Sequence, residues 1–351
     1  RGGQETLGRN RGIGIITSRH LLRALLIATT LAAVRCAVPG GRSRLSCLPG
    51  FALSGAGGVR GLAMAVPTAV SCTWLKDNIA QVKVLDASWY LPVMNKDARA
   101  EFSARRIPGA LFLDIDKVCD HTSEWPHMMP PAQLMASTCA SLGITREDHV
   151  VVYDGKGVFS APRAWFMFKA AGHGKVSILD GGFPKWESEK LPIDTEPKPV
   201  DATADTPSAY SCEINSAMVM DTAAIEANIA SGARQMLDAR PKARFLGAAP
   251  EPRPIESGHI EGSFCVPWTD VLTPELTFKS EAELKATLIA AKVDLSKPVG
   301  ITCGSGISAC VVGAALHILG MTDTPLYDGA YTEWKTSGKP TFKDVEKSPY
   351  A

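Results

Sequence analysis

The 351-residue chain lacks several patterns that would assign a function directly. Its nine cysteines form no Cys-x-x-Cys pair, which excludes a zinc ribbon and a thioredoxin-type motif. Their odd number argues against a complete disulfide framework, so we expect a reducing compartment. An excess of charge is lacking too, because 37 basic and 36 acidic residues give a net charge of +1. With 45% hydrophobic and 21% charged residues, the composition is typical of a soluble globular protein.

Acidic residues and lysine are almost missing from residues 1–63, which contain nine Arg, no Lys and the single acid Glu5. This segment has a net charge of +8, and the rest of the chain has −7. Because the rest is mildly acidic, we expect no nucleic-acid partner. The segment is rich in Arg, Gly, Ser and Leu, as organellar transit peptides are. We therefore predict a leader over residues 1–66 and a mitochondrial location, with a plastid as the alternative.

A long apolar run is also missing from the leader. Residues 21–34 are apolar, but Arg23 interrupts them, and they are fewer than the roughly 20 residues that a spanning helix needs. We therefore expect no membrane anchor. The apolar run before Ala37 leaves a secretory signal as a weaker alternative. No Met precedes Met64, and if translation starts there, the leader is untranslated and we expect a cytoplasmic protein.

The chain repeats itself with a period of about 150 residues. Four segments recur in the same order: 84–87 (VLDA) as 236–239 (MLDA), 106–110 (RIPGA) as 259–263 (HIEGS), 153–157 (YDGKG) as 302–306 (TCGSG), and 179–182 (LDGG) as 327–330 (YDGA). This indicates a tandem duplication of one domain. We predict a first domain over residues 67–195, a linker over 196–217 and a second domain over 218–351.

Each copy alternates short β-branched runs with helical patterns. HVVVY at 149–153 precedes an apolar segment at 161–171, and VGIT at 299–302 precedes another at 309–319. Short apolar strands followed by helices of about ten or more residues are typical of βαβ units. We therefore predict an α/β protein with two similar domains, each a parallel sheet flanked by helices.

The two copies differ at the end of one matched strand, where the first has Asp154 and the second has Cys303. A parallel sheet presents its ligand-binding loops at this edge. The small residues after Cys303 let backbone N–H groups turn towards its sulfur, and the following helix adds positive charge. Both effects favour a reactive thiolate. The loop alone is equally compatible with a tight turn around a buried Cys, but the exchange of Asp for Cys favours a nucleophile.

One arginine is missing from the Cys303 loop. The Cys-x5-Arg loop of tyrosine phosphatases needs Arg at position 309, where this chain has Ala309. Phosphate-ester cleavage is therefore disfavoured. Transfer of sulfur through a persulfide needs only an amide cradle and a site for the donor, so the loop favours this chemistry.

The loop CGSGISA at 303–309 is similar to the pattern CG-(S/T)-G-(V/I)-(S/T)-A of the 3-mercaptopyruvate sulfurtransferases, within the two-domain rhodanese superfamily. The resemblance covers about residues 68–340. It implies tandem rhodanese-like domains and transfer of sulfur from 3-mercaptopyruvate through a Cys303 persulfide to thioredoxin, another thiol or cyanide, with release of pyruvate. It implies neither a metal nor an organic cofactor. The substrate-binding loop would include Gly304, Gly306, Ile307 and Ser308.

The same resemblance extends to two further groups of residues. The segment ARFLGAAPEPR at 243–253 is similar to the family's GRF-x-G-x-x-PEPR, which implies that Arg244 and Arg253 bind the carboxylate and keto oxygen of mercaptopyruvate. It also implies a proton relay of Ser305 with Asp116 and His127 from the first domain. From the residues alone, Asp116 capping a turn and His127 fixing a loop are equally open.

Other functions remain open from the sequence. Thiosulfate sulfurtransferases typically carry basic residues just after the Cys, whereas Gly304 and Ser305 are neutral, so we expect thiosulfate to be the poorer donor. The alternatives are a thiosulfate:cyanide sulfurtransferase of the same fold and a persulfide carrier with little turnover. We expect a monomer, with an oligomer left open, and no membrane partner.

Overall fold

The computed structural model describes residues 66–199 and 209–343. Apart from residue 66, the predicted leader lies outside the described residues, as do the middle of the predicted linker and residues 344–351. In the described part of the chain, no helix combines the length and apolarity needed to cross a bilayer.

The first domain is a parallel sheet with helices on both faces. Its strands are β1 (Ala69–Val70), β2 (Val82–Asp86), β3 (Leu111–Phe112), β4 (His149–Tyr153) and β5 (Val176–Leu179). Its helices are α1 (Cys72–Asn78), α2 (Ala98–Ala104), α3 (Ala132–Ser141), α4 (Ala161–Ala170) and α5 (Gly182–Ser188). The strand order is β1-β5-β4-β2-β3, and every neighbouring pair is parallel.

The second domain repeats this arrangement. Its strands are β6 (Val219–Met220), β7 (Gln235–Asp238), β8 (Phe264–Cys265), β9 (Val299–Thr302) and β10 (Leu326–Tyr327). Its helices are α6 (Thr222–Ser231), α7 (Lys242–Phe245), α8 (Glu281–Ala290), α9 (Ala309–Ile318) and α10 (Ala330–Thr336). The order β6-β10-β9-β7-β8 is that of the first sheet, again all parallel. The predicted α/β class with two similar parallel sheets is confirmed.

The two domains meet along α4 and α9, which pack against each other. Both helices are apolar on almost every side, because each is covered by its own sheet and by the other helix. Each follows the strand whose loop carries Asp154 or Cys303. Packing of α4 against α9 therefore brings the Cys303 loop to the domain boundary.

Two aspartates at equivalent positions of the repeat each bind a loop of the other domain. Asp180 Oδ1 accepts the backbone N–H of Phe278 at 2.8 Å, and Asp328 Oδ2 accepts that of Met129. The loop at Met129 is thereby fixed on the second domain, and the loop at Phe278 on the first. This reciprocal exchange is what lets the first domain contribute residues to a site on the second.

Candidate active site

The loop between β4 and the N-terminus of α4 binds an anionic group. Asp154 Oδ2 accepts the backbone N–H groups of Phe159, Ser160 and Ala161 at 2.8–2.9 Å, and Oδ1 accepts that of Lys156 at 2.9 Å. A carboxylate therefore lies in a cradle of amides at the N-terminus of α4. The first domain fills this anion site with its own side chain.

Cys303 takes the place of Asp154 in the second domain and is only 2% exposed. Its carbonyl accepts the N–H of Tyr331 at 3.0 Å, and the Gly304 carbonyl accepts that of Thr332 at 3.1 Å. Because a trans peptide points its N–H away from its carbonyl, the N–H groups of Gly304 and Ser305 face the opposite side. Across the described residues, none of the N–H groups of residues 304–308 donates to another protein atom. They can therefore stabilise an anion at the sulfur.

Gly306 gives the loop its tight turn. Its φ is +78°, in the left-handed region that favours glycine. A Cβ at this position would lie 3.1 Å from Arg163 Nη1 and 3.2 Å from the Asp328 carbonyl oxygen. Arg163 Nη1 also donates to the Gly306 carbonyl at 3.4 Å. Glycine here therefore allows the Cys303 loop to pack closely against the first domain.

Cys303 lines a cavity of about 280 Å³ formed by both domains. Five of the predicted loop residues line it, and so do both predicted arginines: Cys303, Gly304, Ser305, Ile307, Ser308, Arg244 and Arg253. The first domain contributes Trp89, Leu91, Lys156 and Phe159. Gly306, Asp116 and His127 lie outside this lining. The structure thus brings most of the predicted substrate-binding residues to one cavity.

Arg253 offers an unpaired guanidinium to this cavity. Arg253 is half-buried, and its guanidinium has no hydrogen bond or ion pair with any described residue. Burial lowers the pKa of Arg253, while the nearby Cys303 sulfur acts in the opposite direction. Arg253 therefore keeps its donors free for a ligand beside Cys303.

Arg244 is already paired. Its Nε donates to Glu251 Oε2 at 3.0 Å, and its Nη2 donates to the same oxygen. The other Glu251 oxygen accepts Arg240 Nη1 at 2.8 Å, and Arg240 is also paired with Asp238. Arg244 Nη2 lies 3.1 Å from the point where a Gly304 Cβ would be. Arg244 is therefore placed over the Cys303 loop with part of its guanidinium committed to Glu251.

Asp116 and His127 contact each other, with 3.1 Å between Oδ1 and Nδ1. Asp116 also accepts Trp89 Nε1 at 3.1 Å. The close approach of His127 lowers the pKa of Asp116. Burial lowers the pKa of His127, and Asp116 partly opposes this shift. Within residues 66–199 and 209–343, the structure shows no hydrogen bond between His127 and the Ser305 hydroxyl. Both ring nitrogens of His127 are buried, and neither makes a hydrogen bond of normal geometry, so Nδ1 approaches Asp116 only as an ion-pair contact.

The repeat explains why His127 reaches towards the second domain. His127 has φ +62°, and Leu276, 149 residues later, has φ +60°. Leu276 packs on Gly157 of the first domain, where an added Cβ would lie 2.8 Å from the Leu276 Cβ. Gly306 is the residue that matches Gly157, and Arg163 links it to His127 by donating to the carbonyls of both. The first domain thus holds His127 next to the Cys303 loop.

Lys156 is a cavity residue that the sequence reasoning missed. Its ammonium lies 3.9 Å from the centre of the Phe159 ring and 4.7 Å from that of Trp268. Burial lowers the pKa of Lys156, while Asp154 acts in the opposite direction. The repeat could have identified Lys156, because the match of YDGKG at 153–157 with TCGSG at 302–306 aligns Lys156 with Ser305 of the Cys303 loop. In the described part of the chain, no group of three or more His, Cys, Asp or Glu residues could hold a metal.

Known proteins agree with this architecture. The family model described as Rhodanese-like domain matches residues 71–189 and 221–337. The 3-mercaptopyruvate sulfurtransferase of Rattus norvegicus is 43% identical over 280 residues, covering 77% of this chain and 93% of the relative. Thiosulfate/3-mercaptopyruvate sulfurtransferase 1, mitochondrial, of Arabidopsis thaliana is 38% identical over 298 residues, covering 80% of this chain and 79% of that protein.

A solved structure gives the same result. The crystal structure of SseA from Escherichia coli, described as a 3-mercaptopyruvate sulfotransferase with the rhodanese fold, matches with a TM-score of 0.69 at 33% identity. The match covers 76% of this chain and 99% of that one. The chain therefore belongs to the rhodanese family, with two rhodanese-like domains in tandem.

Proposed function

We propose that this sulfurtransferase takes sulfur from 3-mercaptopyruvate and carries it as a persulfide on Cys303. One observation carries the proposal: Cys303 faces a cavity with the unpaired guanidinium of Arg253, at the position where the first domain holds a carboxylate in its amide cradle. The names of the rat and E. coli relatives support this choice of donor.

The first half-reaction forms one bond and breaks one. The Cys303 thiolate attacks the sulfur of 3-mercaptopyruvate, and a sulfur–sulfur bond forms. The carbon–sulfur bond breaks, and its electron pair leaves with the carbon as the enolate of pyruvate. The proton of the substrate thiol ends on that carbon, which gives pyruvate. The persulfide left on Cys303 is an anion, and the free N–H groups of the loop stabilise it.

The two arginines have different tasks in this proposal. Arg253, whose guanidinium has no partner among the described residues, binds the carboxylate of the donor with two parallel hydrogen bonds. Arg244, held by Glu251 above Gly304, uses one of its remaining N–H donors for the keto oxygen. Polarisation of the keto group stabilises the enolate as it leaves.

Asp116, His127 and Ser305 serve as the proton relay. Asp116 orients His127, and burial keeps the imidazole neutral, so that it can take the thiol proton and return it to the enolate carbon. Ser305 lines the cavity and would pass the proton between substrate and His127. This step requires His127 and Ser305 to move together, because they are not hydrogen-bonded in the structure.

The second half-reaction returns the enzyme to its starting state. An acceptor thiolate, such as that of thioredoxin, attacks the outer sulfur of the persulfide and leaves Cys303 as the thiolate. Cyanide can replace the thiol and yields thiocyanate. The relatives' names do not specify an acceptor, so this choice rests on the chemistry of the persulfide.

A steady-state assay tests the proposed function. Pyruvate release from 3-mercaptopyruvate is measured with cyanide and, separately, with thioredoxin and its reductase. We expect multiple turnovers that Cys303→Ser abolishes, with a Cys310→Ser variant as the control that retains the loop nucleophile. Pyruvate release by Cys303→Ser would overturn the proposal. A single turnover with every acceptor would instead favour the persulfide carrier, and a higher rate with thiosulfate would favour thiosulfate:cyanide sulfurtransferase.

The location proposed for the protein is the mitochondrion. The basic, acid-poor composition of residues 1–63 and the mitochondrial name of the Arabidopsis relative support it. A reporter fused after residue 66 is expected to enter mitochondria. Entry into plastids, or a cytosolic signal, would contradict this location.

A further inference from the structure

The cavity at Cys303 contains a cation that the proposed function leaves unused. Lys156 comes from the first-domain loop that matches the Cys303 loop, and its ammonium lies over the faces of Phe159 and Trp268. Lys156, Phe159 and Trp268 all line the cavity. Cation–π contacts of this kind hold an ammonium in place without neutralising its charge.

Among residues 66–199 and 209–343, no carboxylate forms an ion pair with Lys156. The acid that acts on it electrostatically is Asp154, whose carboxylate is already held by four backbone N–H groups. The ammonium has no ion pair or hydrogen bond with any residue that the structure describes. A half-buried ammonium without a counter-ion, in a cavity that opens to a nucleophile, attracts anions.

Two of the other cations of the cavity differ from Lys156 in this respect. Arg240 and Arg244 are paired with Asp238 and Glu251, which cancels two positive charges with two negative ones. Arg253 and Lys156 remain unpaired, one from each domain. A cavity of 280 Å³ is only about 8 Å across if treated as a sphere, so an anion inside it lies close to both.

We propose that Lys156 is a specificity-determining residue of the donor site. Its ammonium attracts the anionic group of the sulfur donor, and the attraction increases with the negative charge of that group. This inference rests on the proposed transfer of sulfur at Cys303. 3-Mercaptopyruvate carries one negative charge on its carboxylate, and thiosulfate carries two. Lys156 therefore supplies, from the opposite domain, the cation that the neutral Gly304 and Ser305 do not provide. Thiosulfate should be a better donor than the Cys303 loop alone predicts.

The chemistry with thiosulfate is balanced without any further reactant. The Cys303 thiolate attacks the outer sulfur, a new sulfur–sulfur bond forms, and the bond to the sulfonate sulfur breaks. Sulfite leaves with the electron pair. The persulfide on Cys303 is the same as that formed from 3-mercaptopyruvate, so the two donors can be compared in one assay with cyanide as acceptor.

The test compares both donors in Lys156→Met and Lys156→Gln. Methionine keeps the apolar stem against Phe159 and Trp268, and the backbone N–H of residue 156 can still bind Asp154. The attraction lost with the Lys156 charge is proportional to the charge of the donor, so the lost Coulomb energy is twice as large for thiosulfate as for 3-mercaptopyruvate. Doubling the energy squares the fold-change in KM. If the KM for 3-mercaptopyruvate rises about fivefold, the KM for thiosulfate should therefore rise about 25-fold. We expect kcat to change little. Lys156→Arg should restore most of the preference for the dianion.

The matched control is Lys242→Gln. Lys242 is an exposed residue of the second domain that lines a neighbouring cleft and not the cavity of Cys303. We expect equal, small effects of this variant on the two donors. It therefore separates a local contact from a general loss of positive charge.

Two results would overturn the role of Lys156. One is an unchanged KM for both donors in both neutral variants. The other is an equal loss of kcat/KM for both donors together with a lower unfolding temperature, which would indicate a purely structural residue. If the unmodified protein forms no Cys303 persulfide with either donor, the proposed function fails instead, so the two failures are distinguishable.

Discussion

Arg163 and Asp328 form an ion pair between the two domains, with 2.8 Å between Nη1 and Oδ1 and side-chain exposures of 1% and 2%. The same guanidinium donates to the carbonyls of Gly306 and His127. One buried arginine therefore joins the domains, the Cys303 loop and the predicted relay.

This pair predicts a large loss of stability when one partner is removed. Arg163→Met would leave Asp328 as an unpaired buried carboxylate, and breaking such a pair typically costs about 3–5 kcal/mol. The free energy of unfolding, measured in urea, should fall by this amount. The double variant Arg163→Met with Asp328→Asn should recover part of the loss, because no buried charge remains. A loss below about 1 kcal/mol in the single variant, as for an exposed pair, would contradict the structural role.

Arg253 and Arg244 should respond differently to the same substitution. Arg253→Gln removes a cation that is paired with no described residue. We therefore expect the KM for 3-mercaptopyruvate to rise about tenfold to a hundredfold, as for a lost charge-assisted contact of about 1.5–3 kcal/mol. The unfolding temperature should not fall. Arg244→Gln instead removes one of the two partners of Glu251, which is only 3% exposed, so it should also lower the unfolding temperature. Equal stability losses in the two variants would show that Arg253 is held by the protein after all.

Asp116 should determine the pH at which kcat/KM falls on the acid side of its pH profile. In the native protein Asp116 raises the pKa of His127 against the lowering effect of burial. Asp116→Asn removes this contribution, so the pKa of His127 should fall further. If neutral His127 accepts the proton, the acid limb of kcat/KM with 3-mercaptopyruvate should move to lower pH. Asp120→Asn, which changes a neighbouring carboxylate that binds Thr122, should leave the limb in place. An unmoved limb in Asp116→Asn would exclude His127 as the proton acceptor.

His317 should make the fold less stable in acid. Its Nδ1 lies 2.7 Å from Thr68 Oγ1 of the opposite domain, and burial lowers its pKa from 6.5 to about 4. Between these values the unfolded chain binds a proton that the folded chain does not, so this contribution to the unfolding free energy falls as the pH falls. His317→Gln lacks this dependence. The stability difference between the native protein and the variant should therefore shrink from pH 7 to pH 4, and a constant difference would contradict the shift.

The repeat made most of the fold predictable. The strands at 149–153 and 299–302 have the predicted bounds, and helices α4 and α9 end one residue earlier than expected. Buried parallel strands and buried helices give continuous apolar runs, which are the clearest signal in a sequence. Because Cys303 replaces Asp154 at a matched position, comparison of the copies also located the loop of the predicted nucleophile.

The remaining parts of the site depend on how the domains pack. Nothing in the periodicity indicates that Arg163 lies at the Cys303 loop or that Lys156 faces the cavity, because both contacts arise when α4 meets α9. Arg244, Glu251 and Arg253 all belong to the segment at 243–253. Sequence spacing does not reveal which of the two arginines pairs with Glu251, and in the structure it is Arg244. The contact between Asp116 and His127 includes a residue other than glycine with φ +62°, and the hydrophobic periodicity does not mark that turn.

In the proposed reaction, Cys303 receives the sulfur. The most direct measurement is the mass of the peptide containing Cys303 after one equivalent of 3-mercaptopyruvate is added without acceptor, with the released pyruvate measured in parallel. We predict that this peptide gains one sulfur atom, in a one-to-one ratio with pyruvate, and that thioredoxin or cyanide removes the added sulfur. Pyruvate released without added mass on Cys303, or sulfur added to another cysteine such as Cys310 instead, would contradict the account.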